Sequence, residues 1–119
     1  MSTKTFKEIK AWQLAHQFVL EVYRFTKNFP REEIYCLTSQ FRRAAISVAA
    51  NICEGYKKKG KKDKLRFYNI SQGSIEECRY YIILSKDLEY GCSQEMDELL
   101  DSVGRKLYGY IKSIEESMM

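Results

Sequence analysis

The spacing of apolar residues constrains the fold of this 119-residue chain more than any other feature. Towards the end of the chain, apolar residues recur at intervals of three and four: Met96, Leu99, Leu100, Val103, Leu107, Tyr110, Ile111 and Ile114. This interval places their side chains on one face of an α-helix, and it is the spacing with which helices pack at about 20° in a bundle. The pattern predicts an amphipathic helix over about residues 93–116, with Ser93 as its N-cap.

Three earlier stripes with the same period predict helices over about residues 10–29, 32–54 and 63–89. Pro30 follows the first helix, and Gly55 and Gly91 follow the second and the third, where glycine is favoured beyond a helix end. The first two helices, and the last two, are joined by short connections, which make them antiparallel neighbours. The sequence therefore predicts an all-α fold, namely an antiparallel up-down-up-down four-helix bundle.

Composition predicts a single domain over residues 1–119. The chain contains one proline and six glycines, no linker-like stretch divides it, and a hydrophobic content of 45% is enough for one core. Residues 1–10 are polar, and nowhere do about 18 apolar residues follow one another, as a membrane-spanning helix requires. We therefore expect a cytoplasmic protein with no membrane partner.

Residue types that carry catalysis or bind metals are scarce. His16 is the only histidine, and no Glu-x-x-His pair accompanies it, so a di-metal site of the helical-bundle type is not expected. Four widely spaced cysteines form no C-x-x-C motif, which predicts reduced thiols. Cys36, Cys53 and Cys78 fall within apolar helical patterns, where cysteine acts as a small hydrophobic residue. We expect neither a metal nor a cofactor, and an enzyme is the weakest functional class.

The strongest charge signal surrounds residues 55–62, GYKKKGKK, which are predicted to form a basic loop. Seven cations are opposed there by Asp63 alone: Lys57, Lys58, Lys59, Lys61, Lys62, Lys64 and Arg66. Seven minus one gives +6, against +4 for the whole chain, so the basic character is local. Such a cluster can neutralise nucleic-acid phosphates with little base discrimination. A solvated loop that only keeps the protein soluble is an equally good interpretation of the cluster alone.

A second set of residues is polar and follows the edge of the apolar stripes on the second and third helices. We expect them to form a structural network that fixes helix register, rather than a catalytic group. Within it, Arg42 or Arg43 is expected to pair with Glu77 across the two helices. The set comprises Gln40, Arg43, Ser47, Asn51, Glu54, Ser74 and Glu77.

Two long motifs carry a family resemblance: LTSQFRRAAISVAANICEG from Leu37 to Gly55, and SQGSIEE from Ser71 to Glu77. With them, the chain resembles the four-helix-bundle proteins encoded in intervening sequences of 23S rRNA genes. The residues shared with the motifs are Gln40, Arg42, Arg43, Ser47, Asn51, Glu54, Gly55, Gly73, Ser74 and Glu77. Cys53 departs from the motif, in which alanine is more usual.

The resemblance implies a homopentamer, and the family is similar to the accessory variability proteins of diversity-generating retroelements, which bind nucleic acid and a reverse transcriptase. Nine tyrosines and six phenylalanines also exceed what a narrow bundle can enclose, which predicts an exposed flank for subunit contact. We expect a non-enzymatic oligomer that binds RNA or DNA backbone through Arg42, Arg43 and the basic segment. The alternative is a protein-protein assembly module, for example a partner of a reverse transcriptase or a ribosome-associated protein.

Overall fold

The computed structural model describes residues 5–119 and is built from four α-helices. They span Lys10–Thr26 (α1), Leu37–Lys57 (α2), Lys61–Asp87 (α3) and Gln94–Ser117 (α4). Single-turn 3-10 helices at Phe6–Glu8 and Arg31–Glu33 precede α1 and α2. No strand occurs in the described part of the chain, so the prediction of an all-α, four-helix fold is confirmed.

Contacts between helices show how the bundle is arranged. Ser47 of α2 meets Ser74 of α3, whereas Gly55, further along α2, meets Tyr68, nearer the start of α3. Residue numbers thus rise on one helix as they fall on the other, and the two helices are antiparallel. Each of α1 and α3 packs between α2 and α4, which closes a ring of four helices around one core.

The core is filled by the apolar stripes that the sequence displays. Phe18, Phe41, Ile52 and Leu107 are almost completely buried, as is Met96 at the start of α4. Burying a side chain of this size stabilises the fold by about 1.5–3 kcal/mol. The α4 stripe is buried at its centre, whereas its outer members, Leu99, Tyr110 and Ile114, are half-buried or exposed.

The connection between α1 and α2 is longer than predicted. Helix α1 ends at Thr26 rather than near residue 29, and α2 begins at Leu37 rather than near residue 32. Pro30 cannot continue the first helix. At the start of the second helix, the side chain of Glu33 accepts a hydrogen bond from the Leu37 amide at 3.2 Å. That acceptor satisfies a free amide at the start of α2, so the helix begins there and Ile34 stays exposed.

The predicted basic loop 55–62 is reduced to Lys58–Gly60, because α2 continues past Gly55 to Lys57 and α3 begins at Lys61. Gly55 is a buried helical residue rather than a helix terminator. A Cβ at this position would lie 2.5 Å from the nearest ring carbon of Tyr68, so only glycine allows α3 to approach so closely. This close approach holds the end of α2 in helical form against α3.

Helix α3 also ends earlier than predicted, at Asp87 rather than at residue 89. Glu89 adopts a left-handed conformation with φ of 65°, and the Tyr90 amide bonds back to the Ser85 carbonyl at 2.8 Å. This arrangement terminates the helix before Gly91 is reached. The start of α4 follows the prediction, since Ser93 Oγ accepts a hydrogen bond from the Met96 amide at 3.2 Å.

We predict that Gly55→Ala lowers the free energy of unfolding by about 1–3 kcal/mol, because the added methyl group collides with the Tyr68 ring. Gly109→Ala is the matched control, since position 109 is an exposed site in α4 with open space around its Cα. The control should raise stability by about 0.5–1 kcal/mol, the helix-propensity difference. Chemical denaturation of both variants checks this, and equal effects would contradict the close packing at Gly55.

Candidate nucleic-acid interface

The structure places five of the predicted cations together on exposed positions at the end of the bundle where α2 meets α3. We call them the hairpin patch: Lys57, Lys59, Lys61, Lys62 and Arg66. The carboxylate of Asp63 accompanies them and lies 3.8 Å from Arg66 in a solvent-exposed pair. Exposed pairs of this kind contribute little and leave the cation accessible. The patch therefore presents a high local density of positive charge.

One aromatic ring beside the patch, that of Phe67, is covered. Lys58 Nζ lies 5.1 Å from the centre of the Phe67 ring, and the Arg66 guanidinium carbon lies 4.8 Å from it. Both cations gain a favourable interaction with the ring, and together they screen it from a stacking partner. This arrangement suits contacts with phosphates rather than with bases.

Lys64, a predicted nucleic-acid contact, has a structural position instead. Its ammonium group donates to the carbonyl oxygens of Tyr56 at 2.7 Å and Gly55 at 3.1 Å, in the last turn of α2. Carbonyl groups in the last turn of a helix receive fewer hydrogen bonds from the helix itself, and a cation there also complements the helix dipole. Burial lowers the pKa of Lys64 below its ordinary value. Lys64 therefore caps α2 and is not a free surface charge.

Arg42 and Arg43 lie away from the hairpin patch. At about 1.5 Å per residue, Arg42 and Lys57 are about 22 Å apart along α2. Arg42 is half-buried against α1, and Arg43 is exposed one position further on. Lys27 and Arg31, which were not among the predicted contacts, line a surface groove together with these two arginines. No local pattern marks them, because only the chain reversal between α1 and α2 brings the four cations together.

Three of the seven residues expected in the polar network share hydrogen bonds at the α2–α3 contact. Ser74 Oγ donates to Ser47 Oγ at 2.8 Å, and Asn51 Nδ2 donates to the same hydroxyl at 2.9 Å and to the Ser47 carbonyl at 2.8 Å. Ser71, which was not in the expected set, donates to the Val48 carbonyl at 2.8 Å while fully buried. Its position three residues before Ser74 is the signal that could have identified it.

The other four residues of that set, Gln40, Arg43, Glu54 and Glu77, are exposed. The structure corrects the expected pairing of Glu77 with Arg42 or Arg43, because none of the ion pairs within residues 5–119 joins them. Arg43 needs no such partner, since an exposed guanidinium remains hydrated. Glu77 faces the next turn of α3 instead, where partial burial, and then the Glu77 carboxylate, raise the pKa of Tyr81.

The helix-crossing ion pair of the described residues lies on the other side of α3. Arg79 Nη1 donates to Asp101 of α4 at 2.6 Å, and Arg79 Nε donates to Glu76 at 3.2 Å. The hydrogen bond to Asp101 is the main reason that the pKa of Arg79 is raised. Arg79 therefore connects α3 to α4, and it is an engaged cation rather than a free nucleic-acid contact.

Two of the four cysteine thiols are affected by burial. Burial raises the pKa of the Cys78 thiol to about 12. Burial also raises the pKa of the Cys53 thiol. All four cysteines are free, and Cys36 is exposed just before α2, contrary to the expected apolar position. His16 is exposed and stacks on Trp12 with ring centres 5.2 Å apart. Within residues 5–119, no group of His, Cys, Asp or Glu side chains could hold a metal ion.

None of the helices described for this chain is both long enough and apolar enough to cross a membrane. The protein is thus a helical bundle with a cationic end and with serine hydroxyls at its central helix contact. The family model of the 23S rRNA-intervening sequence proteins matches residues 7–109. Because the match covers most of the sequence, the chain belongs to that family. A comparison with curated proteins gives no match.

We predict that Lys64→Met destabilises the protein by about 1–2 kcal/mol, because it removes a charged donor from two carbonyls at the end of α2. Lys62→Met removes the same charge from an exposed position and should change stability by less than about 0.5 kcal/mol. Denaturant unfolding measures both. Equal stabilities would show that Lys64 does not cap α2.

Proposed function

We propose that this protein is a non-enzymatic, oligomeric four-helix bundle that binds the backbone of RNA or DNA through the hairpin patch. The observation that carries the proposal is the concentration of five exposed cations at a single end of the bundle, of which Arg66 alone forms a described ion pair, with the exposed Asp63. Each phosphate contact by such a cation releases counterions, which favours binding without base recognition. A protein of this kind remains on nucleic acid through many weak contacts rather than through one specific pocket.

The geometry of the hairpin adds to this argument. Lys57, Lys59 and Lys62 have no hydrogen bond or ion pair among the described contacts, so their charges are available. Their positions on the last turn of α2, the short connection and the first turn of α3 are held by packing of Gly55 on Tyr68. Cations on a rigid support lose less conformational freedom when they bind phosphates than cations on a mobile loop would.

Self-association is proposed through the outer side of the α2–α3 pair. Ile70 of α3 is 45% exposed, and the positions Ala50 of α2 and Gly73 of α3 are small and exposed. A Cβ added at Gly73 would meet nothing within 4 Å, so no contact inside the protomer requires glycine there. An exposed isoleucine beside small residues allows the backbone of a second copy to approach closely. The family resemblance favours a pentamer.

The second candidate function is assembly with a different protein. It is favoured by the number of exposed apolar side chains beyond this surface, including Tyr80, Ile83 and Tyr108 at 57–58% exposure. Exposed apolar patches mark interaction sites in many proteins. Under this alternative the hairpin patch serves only solubility, and the partner is a protein such as a reverse transcriptase or a ribosome-associated protein.

We predict that a triple variant of the hairpin patch has at least tenfold lower affinity for RNA and DNA. The variant combines Lys57→Glu, Lys59→Glu and Lys62→Glu. The unmodified protein should show a log affinity that falls with log salt by about 0.7 per contacted phosphate for single strands, and the variant should show a shallower slope. Lys58, Lys61 and Lys64 are left unchanged because each has a contact within the protomer. Fluorescence anisotropy across a salt series measures both quantities.

The matched control for this variant is Lys86→Glu, Arg105→Glu and Lys106→Glu, which changes the net charge equally at exposed positions outside the hairpin patch. It should retain most of the affinity. Equal losses in both variants would mean that total charge rather than the patch drives binding. Absence of salt-dependent binding by the unmodified protein would make protein assembly the leading function.

We also predict that Ile70→Asp dissociates the oligomer, because it places a charge in the proposed subunit contact. Leu20→Asp, at 44% exposure on α1, is the matched control and should leave the assembly intact. Light scattering at tens of micromolar, a concentration at which standard interfaces stay associated, gives the mass of each species. A monomeric unmodified protein would contradict self-association, and an intact Ile70→Asp oligomer would place the contact elsewhere.

A further inference from the structure

A second cationic site lies between the end of α1 and the start of α2, about 22 Å along α2 from the hairpin patch. It is a groove of about 560 Å³, within the usual size of small-ligand sites. We call it the α1–α2 groove. Its lining includes the cations Lys27, Arg31, Arg42 and Arg43 and the aromatic residues Tyr23 and Tyr35.

The charges of this groove are not neutralised. Four of the lining residues are cationic, and none is acidic. No ion pair within residues 5–119 includes Lys27, Arg31, Arg42 or Arg43, whereas Arg24, Arg66 and Arg79 each pair with a carboxylate. Four unpaired cations around one concave surface repel one another and attract an anion. The groove is therefore suited to a phosphate or a carboxylate.

Arg42 is held in place before any ligand binds. Its Nε donates to Thr26 Oγ1 at 2.8 Å, and its guanidinium carbon lies 4.5 Å from the centre of the Tyr23 ring. The Thr26 hydroxyl donates in turn to the Val22 carbonyl at 2.8 Å, which orients it. These contacts use Nε and one face of the guanidinium group. Among the described residues, no hydrogen bond uses the two terminal nitrogens of Arg42, Nη1 and Nη2. These two nitrogens can therefore bind one anion with two parallel hydrogen bonds.

An aromatic platform lies on the same groove. Tyr35 is 95% exposed, and no ring of the described residues stacks on it, in contrast to the covered Phe67 of the hairpin patch. Ile34 and Ile46, at 46% and 43% exposure, add apolar surface beside it. A planar ring bound to an anion matches this combination of an aromatic face, apolar walls and unpaired guanidinium groups.

We propose that the α1–α2 groove binds one unpaired nucleotide of a single-stranded nucleic acid, with the phosphate on Arg42 and Arg43 and the base stacked on Tyr35. This inference rests on the proposed function and adds base stacking to it. A duplex is disfavoured because its bases are stacked on one another and cannot reach a tyrosine face. An acidic peptide would satisfy the cations but would leave the aromatic face without a planar partner.

The test uses an oligothymidine of about ten nucleotides that contains a single 2-aminopurine, a length within the range bound by known single-strand sites. Binding to the unmodified protein should quench the 2-aminopurine fluorescence. Tyr35→Ala should abolish the quenching and weaken affinity about tenfold, the effect of losing one stacked base. Arg43→Ala should also weaken single-strand binding, and affinity of either variant for a duplex of the same length should be unchanged.

Tyr35→Ala and Arg43→Ala act on exposed side chains, so both proteins should fold, which circular dichroism checks. Tyr108→Ala is the matched aromatic control, because Tyr108 is 58% exposed on α4, and it should bind like the unmodified protein. The combined Lys57, Lys59 and Lys62 to glutamate variant should lose affinity for single strands and duplexes alike. Its remaining single-strand binding should still quench 2-aminopurine, because the groove is intact.

Several results would overturn the inference. If Tyr35→Ala binds and quenches like the unmodified protein while the hairpin variant loses binding, the groove is not a nucleic-acid site, although the proposed function stands. If the unmodified protein binds no nucleic acid, both fail. If groove variants weaken binding of poly-glutamate but not of the strand, the ligand is an acidic protein segment. If adenosine monophosphate binds as tightly as the strand, the groove takes a free nucleotide.

Discussion

The contact between α2 and α3 is the interaction on which the rest of this structure depends. Buried hydroxyl groups replace apolar side chains there, and each one has a partner: Ser71 bonds to the Val48 carbonyl, and Ser74 bonds to Ser47. Small side chains at these positions let the helices come close together, and the hydrogen bonds remove the cost of burying polar groups. Register along the pair then follows, because a shift of one residue would leave these hydroxyls unpaired. Gly55 extends the same close approach to the end of α2.

This register determines which cations are available for function. Close packing near the end of α2 brings Lys64 onto the terminal carbonyls, so that one lysine of a dense run becomes a helix cap while its neighbours remain in solvent. At the other end of α2, the turn between α1 and α2 places Lys27 and Arg31 beside Arg42 and Arg43. A single helix thus carries two cationic regions of different character. In the hairpin patch, the Phe67 ring is covered by cations, whereas in the α1–α2 groove the Tyr35 ring is exposed.

The helices were predictable because each one repeats its apolar residues at the helical period over several turns. The ends were less predictable, since they depend on single contacts. At the end of α1, the Thr26 hydroxyl donates to the Val22 carbonyl and accepts from Arg42, and at the start of α2 the Glu33 side chain accepts from the Leu37 amide. The expected pairing of Arg43 with Glu77 assumed that polar residues beside the apolar stripe need partners. Both side chains are exposed, so water hydrates their charged groups and no protein partner is required.

By itself, the sequence determined the class of fold, the number of helices, the family and the location of the basic segment, because periodicity, charge and motif are properties of neighbouring residues. Only the tertiary structure decided which charges are free. Residues such as Lys27 and Arg31 carry no local signal, and they form a groove with Arg42 and Arg43 because the chain reverses between α1 and α2. A site built from distant segments depends on the positions of helices relative to one another. Those positions follow from packing contacts such as Gly55 against Tyr68, which no single stretch of sequence contains.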